Sequence, residues 1–273
     1  MAEDRLTINT QTVGDSGEIV AFLPGLFGQG KNFTQIAKGL QPDFQSVLVD
    51  LPNHGASDWT QEFDYTAQAD LVAEHLRRTA ASDGPINLVG HSMGGKVAMV
   101  LALRHPDLVS RLVVVDISPV ERESMDEFEH LLDSLAALDI EDLKSRGEAD
   151  TRLQEPIPED MVRGFLLQSL SRTSEGFQWK VNLKLLRDLL PTIAGFPDLT
   201  DSTYEGPVLW IAGEKSDYVK DKYGPAMREL FPRTTLTTIN NAGHWVHAEQ
   251  AEVFTNVVRG FLSGADACNP GEG

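Results

Sequence analysis

Three residues of this chain have the types and settings for acyl chemistry. Ser92 lies among glycines in Gly90-His91-Ser92-Met93-Gly94-Gly95, Asp116 ends an apolar run, and His244 follows a glycine near the C-terminus. A serine hydroxyl becomes a nucleophile when a base takes its proton during attack, and a carboxylate behind the base orients and charges the imidazole. Ser92 stands where a short apolar run, Ile86-Asn87-Leu88-Val89, passes into helix formers from Lys96 to Leu103. Strand, sharp turn and helix in that order hold the hydroxyl above the sheet edge, with Gly90 and Gly94 where a Cβ would collide. The Met93 amide, at the helix N-terminus, can then donate to an oxyanion.

Two other readings of this stretch compete. Gly90 to Lys96 satisfies most of a phosphate-binding loop, but Val97 stands where such a loop needs a hydroxyl for magnesium. A plain glycine-rich turn with an incidental serine is the second, and only the rest of the chain weighs against it. His54, between Asn53 and Gly55, reads as a loop hydrogen bonder, and His247 as the start of the last helix.

The elements that must position Ser92, Asp116 and His244 alternate along the chain. Leu6 to Thr12 reads as a half-buried strand and Glu18 to Leu23 as a buried one, ending in the glycine-rich loop Pro24-Gly25-Leu26-Phe27-Gly28. There the amide of Leu26 or Phe27 can approach a ligand. A helix over Phe33 to Leu40, a strand over Ser46 to Asp50, a helix over Tyr65 to Thr79 and a continuous apolar strand over Arg111 to Ile117 follow. This rhythm predicts an α/β fold: a mostly parallel central sheet with helices on both faces and functional loops at the strand C-termini. From Pro119 to Ser202 no strand is expected, only amphipathic helices such as Met125 to Leu138, Glu159 to Ser169 and Lys184 to Leu190. That insertion is expected to roof the site as a helical cap over 119–202. The sheet resumes at Pro207 to Gly213, a last strand spans Thr234 to Ile239, and a final helix spans Ala248 to Leu262. The core is therefore 1–118 with 203–264, and 265–273 reads as a flexible tail.

Composition bounds the function. The chain has 273 residues, 41% of them hydrophobic, enough for one large core with an accessory element. A net charge of −18 argues against nucleic acid or an anionic membrane as partner, since both need clustered cations. No long apolar run and no basic leader is visible, so neither membrane insertion nor secretion is expected and the cytoplasm is the default location. The single cysteine, Cys268, cannot pair within the chain and agrees with a reducing compartment.

Serine, acid and histidine in that order, each at a strand end, resemble the α/β-hydrolase family over nearly the whole chain. The motifs G-H-S-M-G-G-K, V-D-I-S-P-V and A-G-H-W-V-H-A are more closely similar to its branch of small YbfF-like and ABHD-eleven-like esterases and thioesterases, which also has alcohol acetyltransferase relatives. The resemblance implies a serine esterase or thioesterase forming an acyl-enzyme on Ser92, with His244 as base, Leu26 and Met93 as the oxyanion hole, and no cofactor or metal. The alternatives are an alcohol acyltransferase with the same triad and a non-catalytic binding protein of this fold. Most of the family carries its acid after the strand ending here at Gly213, where Ser216 takes that position and Asp217 falls one residue late. The resemblance therefore assigns the acid to Asp116, with Ser216 in support and Asp217 as the alternative. The substrate is expected to be a small ester or thioester with a short to medium acyl group. Phe27, Trp245 and some of Met125, Phe128, Leu131, Leu132 and Leu135 are its expected pocket walls.

Overall fold

A computed structural model describes residues 6–264; the expected tail, with Cys268, lies outside the described residues. Strands and helices first alternate as β1 (Thr10–Val13), β2 (Glu18–Leu23), α1 (Thr34–Leu40), β3 (Phe44–Val49), α2 (Tyr65–Arg78), β4 (Ile86–His91), α3 (Met93–Arg104) and β5 (Val109–Val115). The insertion follows as α4 (Asp126–Ala137), α5 (Arg146–Leu153), α6 (Asp160–Leu166), β6 (Leu170–Thr173), β7 (Gly176–Trp179), α7 (Leu183–Asp188) and α8 (Leu190–Ala194). The chain closes with β8 (Val208–Gly213), α9 (Gly224–Leu230), β9 (Thr234–Ile239), α10 (Val246–Glu249) and α11 (Ala251–Leu262).

Seven strands pair in the order β1-β3-β2-β4-β5-β8-β9, all parallel except β1, which runs antiparallel to β3. Helices cover both faces, so β4 and β8 are buried at every residue; β8 reads as an unbroken apolar run, and β4 carries only Asn87 and His91 as polar residues. The pleat still sorts their side chains. Val20, Phe22 and Val113 pack with Ile36, Leu40, Phe254 and Val258 of α1 and α11, whereas Ala21, Leu23 and Leu112 pack with Val72, Leu76, Val97 and Leu101 of α2 and α3.

From β2 the chain moves to β3 on one side and then returns to β4 on the other. The strand order reverses between these neighbours, and the crevice at such a reversal is where open α/β sheets take their ligands. Leu23 at the end of β2 pairs with Gly90 of β4, so the Leu26 loop and the Ser92 turn emerge side by side.

One element corrects the sequence reading. The insertion contains strands after all: β6 and β7 form an antiparallel hairpin, Leu170 opposite Trp179 and Thr173 opposite Gly176. Each strand is four residues long, too short for its alternation to stand out from the neighbouring helices, and its stability comes from the cross-strand partner. The expected helices in the insertion are present, with α4 burying Phe128, Leu131, Leu132 and Leu135. Among the described residues no helix is long and apolar enough to cross a membrane.

Candidate active site

Ser92 is the turn between β4 and α3, with φ 54° and ψ −122°. The turn is closed by Ser92 N–H donating to Val115 O at 3.0 Å and Lys96 N–H donating to Ser92 O at 3.0 Å. Its glycines are steric necessities. A Cβ on Gly90 would lie 2.4 Å from Gly94 O, and one on Gly94 would lie 2.3 Å from Pro24 O.

Positive φ marks the rest of the site edge as well. Among the described residues the non-glycine cases are Phe27, Asn53, Ser92, Asp116 and Asn241, and three of them are site residues expected from the sequence. Such conformations cost about 1–3 kcal/mol each and persist where the surroundings over-determine them. For Asp116, just past β5, the surroundings are its N–H to Ile211 O at 2.8 Å and the Trp210 indole N–H to Ile117 O at 2.8 Å. Ser118 then donates to Tyr218 O at 2.9 Å, joining this loop to the one after β8.

These loops bring the three residues together. Ser92 Oγ lies 2.9 Å from His244 Nε2, and His244 Nδ1 lies 2.8 Å from Asp116 Oδ2. Asp116 is completely buried. Its Oδ1 accepts from Gly213 N–H at 3.0 Å, and its Oδ2 also accepts a short hydrogen bond from Ser216 Oγ. Asp217 points away, paired at 3.0 Å with both Arg122 and Lys220, with 58% of its side chain exposed. His244 is gripped from several sides: Tyr218 stacks on its ring at 4.0 Å and His91 Nε2–H donates to its carbonyl at 2.8 Å. A hydroxyl, an imidazole and a carboxylate in this line can lower the cost of deprotonating the serine during attack.

The loop after β2 forms the facing wall. Gly28 N–H donates to Gly25 O at 2.9 Å, and Gly25 sits so close to the turn that a Cβ would be 3.0 Å from that of Ser92. Of the two candidate amides, Phe27 N–H is occupied by His54 Nε2 at 3.3 Å, while Leu26 lines the cleft with Ser92 and Met93. His54 is thus a buried brace of this loop, its Nδ1–H donating to Pro52 O at 3.1 Å.

The cleft around Ser92 measures about 20 Å³ and is lined by Leu26, Tyr65, Met93, Lys96, Ile117, Arg122, Met125, Phe128, Ile193 and Tyr218. The space is narrow, with Met125, Phe128 and Ile193 of the insertion on one side and Leu26, Met93 and Ile117 of the core on the other. Phe27 and Trp245, expected as walls, are not among the lining residues. Phe27 stacks on Phe128 at 6.2 Å, and the Trp245 ring lies 5.7 Å from that of His244 and 6.2 Å from that of Phe165. Leu131, Leu132 and Leu135 are buried in the main core and are not among the lining residues. Sequence reasoning passed over Tyr65, Arg122 and Tyr218, and noticed Lys96 only as a phosphate-loop letter. The available signal is a lysine within the first two turns of α3, whose other residues up to Leu103 are apolar or glycine. Lys96 Nζ donates to Ala194 O and Gly195 O at 2.6 Å, and burial lowers its pKa to about 7.

The remaining buried histidines supply a pH signature. Burial is the main cause that lowers His54 to about 4 and His247 to about 3, and it holds His91 well below the ordinary value. Folded, they stay neutral where an unfolded histidine takes a proton near 6.5. The unfolded chain therefore binds more protons as pH drops from 6.5 toward 4, and stability that is complete above 6.5 is lost through that window. Urea midpoints should fall by the equivalent of a few kcal/mol between pH 7 and 4.5. His247→Phe, which keeps a ring against Phe33, should flatten that slope, and an unchanged slope would show that His247 does not contribute.

Comparison with known proteins extends the geometry. The mouse sn-1-specific diacylglycerol lipase ABHD11 is 38% identical over 250 residues, which span 89% of this chain and 80% of that protein. The Escherichia coli esterase YbfF is 30% identical over 261 residues, spanning 95% and 99%. A solved marine microorganism esterase superposes with a TM-score of 0.89 at 33% identity, covering 94% of this chain and 100% of the other. The family model described as alpha/beta hydrolase fold matches residues 18–251, from the first residue of β2 to the first of α11. That span takes in the Leu26 loop, the Ser92 turn, Asp116 and the His244 turn, and the chain belongs to the α/β-hydrolase family.

Proposed function

We propose that the protein is a serine hydrolase of carboxylic esters that works through an acyl-enzyme on Ser92. The observation that carries this reading is the continuous line Ser92 Oγ, His244 imidazole, Asp116 carboxylate, at 2.9 and 2.8 Å. Relatives named esterase and lipase support it. Ser92 Oγ attacks the ester carbonyl while His244 Nε2 takes its proton. The Leu26 and Met93 amides hold the oxyanion, and the imidazolium hands the proton to the departing alkoxide. Water then attacks the acyl-enzyme with His244 as base again, releasing the acid and restoring Ser92. Asp116 keeps the proton on Nδ1, so Nε2 is free to accept, and Ser216 and Gly213 N–H hold that carboxylate in place. Residues 119–202 act as the cap, with Met125, Phe128 and Ile193 as the side chains that give way to the acyl group. A thioester fits the same steps with a thiolate as leaving group.

The test is covalent labelling. A fluorophosphonate should add once per chain, and peptide mapping should place the adduct on Ser92. An adduct elsewhere, or none on the folded wild type, would end this reading. In dilute ethanol, acid should be formed faster than ethyl ester; the reverse would make an alcohol the preferred acceptor.

A further inference from the structure

One buried cation joins the insertion to the helix that begins at Ser92. Lys96 is only 1% exposed, and its ammonium meets main-chain carbonyls: Ala194 O and Gly195 O at 2.6 Å each, with Ile193 O at 3.5 Å. Burying an ammonium is costly and persists only where hydrogen bonds replace its lost water. Here three N–H groups face three carbonyls. Packing alone does not call for a cation at this place, since Val97 and Val100 fill the neighbouring buried positions of α3. The carbonyls do call for one.

The same end of α8 is held from two other sides. Tyr65 of α2, also buried, donates its hydroxyl to Ile193 O at 2.7 Å. The Arg122 main-chain N–H donates to Ala194 O at 3.0 Å, which ties the segment entering the insertion to the one leaving it. At its own backbone Lys96 is fixed to the nucleophile turn, its N–H donating to Ser92 O at 3.0 Å. A single residue thus links that turn to α8, and Ser92, Lys96, Tyr65 and Ile193 all line one cleft. The Ile193 side chain can change rotamer to admit an acyl group, but its backbone cannot retreat while these bonds hold.

We propose that Lys96 is a positioning residue which, together with Tyr65, holds the end of α8 in the cleft wall and so sets the longest acyl group that Ser92 accepts. This rests on the acyl-transfer reading of Ser92. The limit then belongs to the backbone of α8 and not to the bulk of any one side chain. Removing the ammonium leaves Ala194 O and Gly195 O without their buried donor, and the end of α8 moves toward water to recover one. The cleft lengthens as a result.

The experiment is a series of p-nitrophenyl esters from acetate to decanoate, with kcat and KM measured beside a thermal melt. The leaving group is constant, so an effect on the base or the oxyanion divides out of the ratio between two acyl lengths. In the wild type kcat/KM should rise with each methylene buried, by up to about fourfold, and then fall where the chain meets α8. Lys96→Met, which keeps an unbranched chain without a donor, should move that maximum to longer acids. The decanoate-to-butyrate ratio of kcat/KM should grow by roughly tenfold or more, the gain from about two further methylenes. Tyr65→Phe, which loses only the bond to Ile193 O, should shift the ratio the same way by less. If Lys96 serves the oxyanion, or only stabilises the fold, all esters slow together or the melt falls while the ratio stays, and either result overturns the proposal. Should Lys96→Met not fold, Tyr65→Phe decides: an unchanged ratio overturns the proposal. If no ester of the series is turned over and Ser92 takes up no fluorophosphonate, the reading of Ser92 falls and this proposal with it.

Discussion

The Ser92→Ala variant should lose roughly six orders of magnitude in kcat toward a simple ester, the scale on which a serine hydrolase loses its nucleophile. The size of the loss follows from the geometry. Ser92 Oγ is the hydroxyl 2.9 Å from His244 Nε2, and among the described residues no other hydroxyl or thiol lines the cleft except the phenols of Tyr65 and Tyr218, whose pKa values burial raises. His244→Ala should be nearly as damaging, because a serine without a base keeps its proton at neutral pH. The double variant should be little worse than either single one, since residues that act as a unit do not add. The fold should survive Ser92→Ala: the turn is held by backbone bonds and glycine clearances, not by the hydroxyl. Steady-state turnover beside a thermal melt checks this, and a folded Ser92→Ala protein within tenfold of wild type would remove Ser92 from the mechanism.

The Asp116→Asn variant should lose about four orders of magnitude in kcat, by analogy with the serine-protease carboxylate. The bonding of the two oxygens gives the reason. Oδ1 accepts from Gly213 N–H, and Oδ2 faces His244 Nδ1 and Ser216 Oγ. An asparagine keeps its carbonyl toward the Gly213 amide and turns its NH2 toward Nδ1. The imidazole proton then moves to Nε2, which can no longer accept from Ser92. Asp217→Asn, by contrast, breaks only a part-exposed pair with Arg122 and Lys220, and with a neutral ester it should cost no more than about threefold. Parallel pH–rate profiles of the two variants decide the matter. A larger loss at Asp217 would move the orienting role to the later loop.

Much of this site is legible in the residues because backbone constraints write themselves into sequence. A turn that puts a strand end against a helix start leaves no space for a Cβ at Gly90 or Gly94, so the Ser92 elbow is visible as glycine spacing. Strands covered on both faces are mostly apolar, so the greater part of β4, β5 and β8 is visible as runs, and with them the edge on which Ser92, Asp116 and His244 lie. The β6–β7 hairpin left no such trace, since four-residue strands depend on their partner more than on their own composition.

The side chains around the triad were decided by the tertiary structure. The serine and histidine, 152 positions apart, meet at 2.9 Å only because β4 and the His244 turn end on the same edge of one sheet. Tyr218 stacks on His244 because Ser118 ties down its carbonyl, and Arg122 reaches the cleft because the insertion leaves the sheet beside it. Neither contact has a periodicity or a motif. The types and order of the reacting groups follow from local backbone rules and can be read from the chain. The aim of a loop side chain depends on single dihedral angles, such as φ 50° at Asp116, that distant packing imposes, and so the walls of the cleft belong to the fold alone.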